Sequence, residues 1–196
     1  MAARRLLYPL IFQVPEQALK YESMTRWANE RQRIFDGEMA IDRLVKVSAP
    51  RLAEPLTFTI QERFRNRYGT DWHGDIVDYT KKYTDVTITE WNHASNLPSE
   101  LFKIRAGYFI YAYYDPAIDT FFKPIMVNVP KLLLTIVHDE IPWDRDYNPK
   151  QQSFLGFPYD ELKSLGLDDF YKDEVSLSDY TPFDVVTELV TTPRLM

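Results

Sequence analysis

The chain has 196 residues, 45% of them hydrophobic and 27% charged, with a net charge of −6; this suffices for one buried core with elaborations and excludes a disordered chain. It has no cysteine, which excludes a disulfide framework and a thiolate zinc site, and its three histidines leave oxygen as the main donor for any metal. Lys and Arg number 16 against 14 Asp and Glu in residues 1–110, and 7 against 15 beyond, so only the first two thirds of the chain favour a polyanion.

Taken in chain order, the apolar start is interrupted by Pro9 and has no small-residue cleavage site, which predicts a packed strand or arm and not a targeting segment. Residues 15–35 read as a helix, with proline in the first turn, Glu16 near the positive end of the dipole, and Tyr21, Met24, Trp27 and Ala28 at three-and-four spacing. Asp36-Gly37 ends it, and residues 39–47 form a strand. A second strand, 56–65, alternates: Thr57, Thr59, Gln61, Arg63 and Arg65 share one face, while Phe58, Ile60, Glu62 and Phe64 share the other and pack on a helix layer.

Residues 66–83 are polar, aromatic and punctuated by glycine, which predicts a loop; 85–91 alternate as a third core strand. Leu101, Ile104, Tyr108 and Tyr111 lie on one helical stripe, so 99–114 read as a helix buried on more than one side. A strand at 121–129 carries Pro124, which marks an edge or a bulge, and 130–137 is a short helix or a continuous buried run. This run is far shorter than the roughly 18 residues a membrane span needs, so a cytoplasmic protein without membrane contact is expected. From 139 to 196 the chain reads as an acidic, aromatic, proline-containing appendage packed on a core of residues 1–138, with short helical segments at 158–165 and 182–189.

Asp42 near the start of one strand, followed by Gln61-x-Arg63 on the next, is the pattern that carries chemistry. The order of helix, strand with Asp, strand with a polar-x-basic pair, strand and aromatic helix resembles the PD-(D/E)XK nuclease superfamily over roughly residues 16–128. That resemblance implies an α/β fold of restriction-endonuclease-like architecture, a mixed central sheet flanked by helices. It further implies a Mg²⁺-dependent (or Mn²⁺-dependent) endonuclease acting on DNA, working as a homodimer. Asp42 matches the metal-binding aspartate, Gln61 and Arg63 the acid-x-lysine pair, as Gln-x-Lys does in Mrr-type restriction enzymes, and Glu22 the glutamate often supplied by the preceding helix, with Glu30 second. A shifted register would give the acid role to Glu62. Phosphodiester hydrolysis needs a hard cation to offset charge on the phosphate and to activate water, which Asp42 and the Gln61 amide oxygen would hold.

Two departures matter. Arginine cannot give up its proton, so Arg63 can stabilise charge but cannot serve as a base, and Gln61 lacks the charge of an acid. Arg65, Arg67, Lys81, Lys82, Lys103 and Arg105 suit phosphate contacts, with Tyr68, Trp72 and Tyr83 available for stacking on bases. The same residues also allow a noncatalytic nuclease-fold protein of phage or mobile-element type that binds nucleic acid or a protein partner. A third reading is an assembly protein that self-associates through its acidic C-terminal third.

Overall fold

A computed structural model describes residues 2–24, 29–48, 53–71, 73–148 and 151–176. The apolar start is a helix, α1 (Ala2–Phe12), where a strand or arm was expected. Among its described side chains Leu7, Tyr8, Pro9 and Ile11 are buried, and the one-and-four spacing of Leu7, Tyr8 and Ile11 forms a helical stripe that tolerates Pro9. The helix predicted over 15–35 is mostly replaced. After a short turn the chain forms β1 (Leu19–Ser23), in which Leu19 is buried and Tyr21 packs on the same apolar cluster, so pairing with the next strand overrides the helical spacing. Trp27 and Ala28 lie outside the described residues. Among the described residues of that span α-helix is found at α2 (Glu30–Arg33), capped by the Asn29 side chain on the Gln32 amide and continued by a wider turn through Ile34–Glu38.

Then come β2 (Arg43–Val47) and the long β3 (Leu56–Asn66). In place of the expected loop stand a hairpin, β4 (Tyr68–Thr70) with β5 (Ile76–Asp78), and one turn of helix, α3 (Tyr79–Lys82). After them come β6 (Asp85–Asn92), β7 (Leu97–Pro98) and α4 (Glu100–Lys103). The long aromatic helix ends there, because the next element is a strand, β8 (Tyr108–Asp115). Every residue from Phe109 to Tyr113 is buried. A strand covered on both faces is apolar at every position, so a helical stripe can always be found in it.

β9 (Thr120–Asn128) and α5 (Val129–Val137) come next, the helix capped by Asn128 with proline in its first turn. The described part of the C-terminal stretch, 139–148 and 151–176, packs on the core and is regular: β10 (Asp144–Tyr147), β11 (Gln152–Pro158), α6 (Tyr159–Ser164), β12 (Asp168–Tyr171) and β13 (Glu174–Ser176). The helical segment expected at 182–189 lies outside the described residues.

The architecture is α/β, with a mixed central sheet flanked by helices. The strand order is β1-β2-β3-β8-β9-β12, with β13 also beside β9; β3 and β8 run parallel and the other pairs antiparallel. On one face α1 packs against Val45, Ile60, Ile110 and Met126, as the apolar side of β3 predicts. On the other lies a four-stranded sheet, β10-β11-β6-β7, so β6 belongs to a second sheet. Its Ile88, Leu155 and Phe157 share a core with Phe109, Tyr111 and Ile125 of the central sheet, Leu132 of α5 and Leu162 of α6. Pro124 does mark a bulge: β9 shifts register there against β8, and Pro124 sits between the segments paired with β12 and β13. Among the described residues no helix is long and apolar enough to cross a membrane.

Candidate functional site

Alternation along β3 turns Gln61, Arg63 and Arg65 away from α1 and toward the second sheet. Arg43 pairs with Ile60 in register, which brings Asp42, one residue earlier, beside Gln61. Its amide donates to the Ile60 carbonyl, and its carboxylate accepts from the Glu62 amide at 2.8 Å. Asp42 is 9% exposed. Burial above all raises its carboxyl to about 6, the negative charges of Asp36 and Glu100 add to the shift, and the Glu62 amide and Arg43 oppose it.

Glu100, which sequence reasoning read only as a helix beginning, forms the hub of the site. It is 8% exposed at the start of α4. One carboxylate oxygen accepts from Gln61 Nε2 at 2.9 Å, and the other accepts from Arg63 and from the Thr89 amide at 3.3 Å. The Pro98-Ser99-Glu100 run signals a helix start, but no spacing in the sequence says that this acid turns inward. Arg63 also donates to Thr89 Oγ1 at 3.0 Å and to the Thr87 carbonyl at 3.4 Å. Arg65 donates to Thr87 Oγ1 at 2.7 Å, and its guanidinium lies 5.8 Å from the centre of the Tyr111 ring. Gln61 Oε1 is buried with no hydrogen-bond partner.

These groups meet at a cleft of about 720 Å³ whose lining includes Asp36, Gln61, Arg63, Arg65, Glu100 and Lys103. Asp42 is not on the lining, although Asp36 and Glu100, which act on it electrostatically, both are.

The remaining predicted residues lie elsewhere. Glu62 is on the opposite face of β3, where it accepts from the Tyr8 hydroxyl and from Arg43 Nε at 3.0 Å. Glu22 is on β1 and not on a helix; it lies in register with Leu44 and pairs at 2.8 Å with Arg31 on the exposed edge of the sheet. Arg67 is tied to Asp78 at 3.0 Å and Asp115 at 3.6 Å, with its guanidinium 4.0 Å over the Phe122 ring. Lys81 and Lys82 are exposed on α3, and Arg105 is exposed with its guanidinium on the Ile104 carbonyl at 3.1 Å. Arg65 and Lys103 are thus the two predicted phosphate-binding residues at the cleft. Trp72 lies outside the described residues. Among the described residues no group of three His, Cys, Asp or Glu converges as a metal site.

No known family's sequence pattern matches the chain, and no curated protein matches it. Among solved structures, a nuclease from a fusellovirus is similar over 75% of this chain and 72% of its own, at 11% identity and a TM-score of 0.30. A likeness that slight carries no functional weight.

Proposed function

We propose that the cleft binds a nucleic-acid phosphodiester and hydrolyses it with the help of Mg²⁺ or Mn²⁺. The observation that carries the reading is Gln61 Oε1, a buried oxygen without a partner, placed next to an aspartate whose ionisation is opposed first by burial and then by two further acids. This donor set fits a hard cation. Mg²⁺ is commonly held by one or two carboxylates and completes its shell with water and phosphate oxygens, so a convergence of three acids is not required. Asp42 and Gln61 would hold the ion, which when bound would offset charge on the phosphate and make a water nucleophilic. Arg63, fixed by Glu100, Thr87 and Thr89, lines the cleft as a hydrogen-bond donor whose charge Glu100 largely offsets. Arg65 and Lys103 would hold the flanking backbone.

The pairing of Arg63 with Glu100 favours a second reading, a noncatalytic binder of the same fold. Both Glu100 oxygens are engaged, and the arginine itself cannot take a proton from water. Incubating supercoiled, linear and branched DNA with the protein and Mg²⁺ or Mn²⁺, beside Asp42→Ala and a chelator control, separates the two. The expected result is cleavage by the native protein alone and only with metal. Cleavage that survives Asp42→Ala removes the proposed site, and salt-sensitive DNA binding with no calorimetric uptake of Mg²⁺ establishes the binder.

A further inference from the structure

A second cavity, of about 450 Å³, adjoins the cleft and shares Arg65, Tyr83, Asp146 and Phe154 with it. That volume lies in the range of small-molecule pockets. Its floor is formed by Tyr111 and Tyr113 of β8, buried residues whose hydroxyls are 3.3 Å apart. Asp85 and Thr87 of β6 form one wall, with Gly156 of β11 beside them. A Cβ at Gly156 would lie 2.4 Å from Asp85 Oδ2, so any larger residue there displaces the carboxylate. The chamber therefore combines the half-buried carboxylate of Asp85, with Asp144 and Asp146 of β10 also on its lining, with the aromatic rings of Tyr83 and Phe154 where it joins the cleft. Arg65, held on Thr87, stands at the junction.

We infer that this side chamber takes a nucleobase whose sugar-phosphate lies in the cleft, and that Asp85 selects guanine over thymine. The inference rests on the reading of the cleft as a nucleic-acid site. A base inserted past Arg65 stacks on the aromatic rings, as single-stranded bases do on such platforms, while its edge is read by hydrogen bonds. A carboxylate only accepts, so it pairs with the adjacent imino and amino donors of guanine. Thymine offers one N–H flanked by two carbonyl oxygens, which the carboxylate repels.

The test uses the full chain in a chelator, so that no cleavage intervenes, and fluorescence anisotropy with two labelled single strands: a thymidine oligonucleotide, and the same oligonucleotide with one central guanosine. The guanosine strand is expected to bind about tenfold more tightly, and both Asp85→Asn and Gly156→Ala are expected to erase that preference. Circular dichroism melts certify that each variant is folded. Equal affinity of the native protein for both strands overturns the chamber alone, as does a preference that persists in folded Asp85→Asn. Absence of binding to either strand overturns the nucleic-acid reading of the cleft and the chamber with it. Free GMP binding as tightly as the guanosine strand overturns the polynucleotide as occupant.

Discussion

At the scale of single residues, Asp42 ties stability to pH. Its carboxyl ionises near 3.8 in an unfolded chain and at about 6 in the folded one, so between those values the folded state holds a proton that the unfolded state has lost. Protonated in both states, the group costs nothing below pH 3.8. As pH rises toward 6 the folded state loses stability by about 3 kcal/mol, and the penalty is complete above that. Urea midpoints are expected to fall from pH 4 to pH 6.5, and Asp42→Asn, whose amide oxygen can still accept from Glu62, is expected to flatten that fall and to raise the midpoint at pH 7. If the site takes a divalent cation, Mg²⁺ raises the melting temperature of the native protein at pH 7, less at pH 5 where the proton competes, and not at all in Asp42→Asn.

Glu100 tests the other half of the site. With Glu100 8% and Arg63 23% exposed at their side chains, Glu100→Ala strands a largely buried guanidinium and is expected to cost about 3 kcal/mol. A double-mutant cycle with Arg63→Ala in urea measures the coupling, expected at about 1–3 kcal/mol for residues in contact; a value near zero would mean that the two groups do not sense each other. The face shared by Gln61 and Arg63 was legible in the sequence because strand periodicity fixes it locally. Glu100 was not, since its role depends on α4 docking 39 positions from Gln61, a separation that no local pattern encodes.

At the scale of elements, legibility divided according to how a segment is buried. β3, half polar and half apolar, gave its boundaries and both faces. β8 is apolar and aromatic from Tyr108 to Tyr114, and β1 carries spacing that suits a helix, so local pattern chose the wrong period and tertiary pairing decided. The helix α1 is the layer that the apolar side of β3 requires, and it came from a segment whose interrupted apolar run read as a strand or arm. Leu7 is fully buried within that layer. Leu7→Ala is expected to cost about 3 kcal/mol by leaving a cavity over Val45 and Ile60, seen as a lower urea midpoint with an unchanged slope. A cost below about 1 kcal/mol would mean that α1 covers the sheet only loosely.

At the scale of the whole molecule, the charge asymmetry in the sequence reappears in the lining of the cleft. β3 brings Arg63 and Arg65 and α4 brings Lys103 and Glu100, while the acidic C-terminal third contributes Asp146 from β10. A polyanion is drawn to Arg65 and Lys103 and turned away from Asp146, which would set its path along β3. Arg63 is already neutralised by Glu100, so Arg65 and Lys103 contribute most of the counterion release. The logarithm of duplex affinity is expected to fall against the logarithm of salt with a slope of about −2 to −3, and Lys103→Ala is expected to flatten it by about one. Arg67→Ala should leave the slope alone and lower stability, because that guanidinium is already committed to Asp78, Asp115 and Phe122. Should Lys103→Ala leave the slope unchanged while Lys81→Ala and Lys82→Ala flatten it, the nucleic acid runs over the exposed turn of α3 and the cleft is not its track.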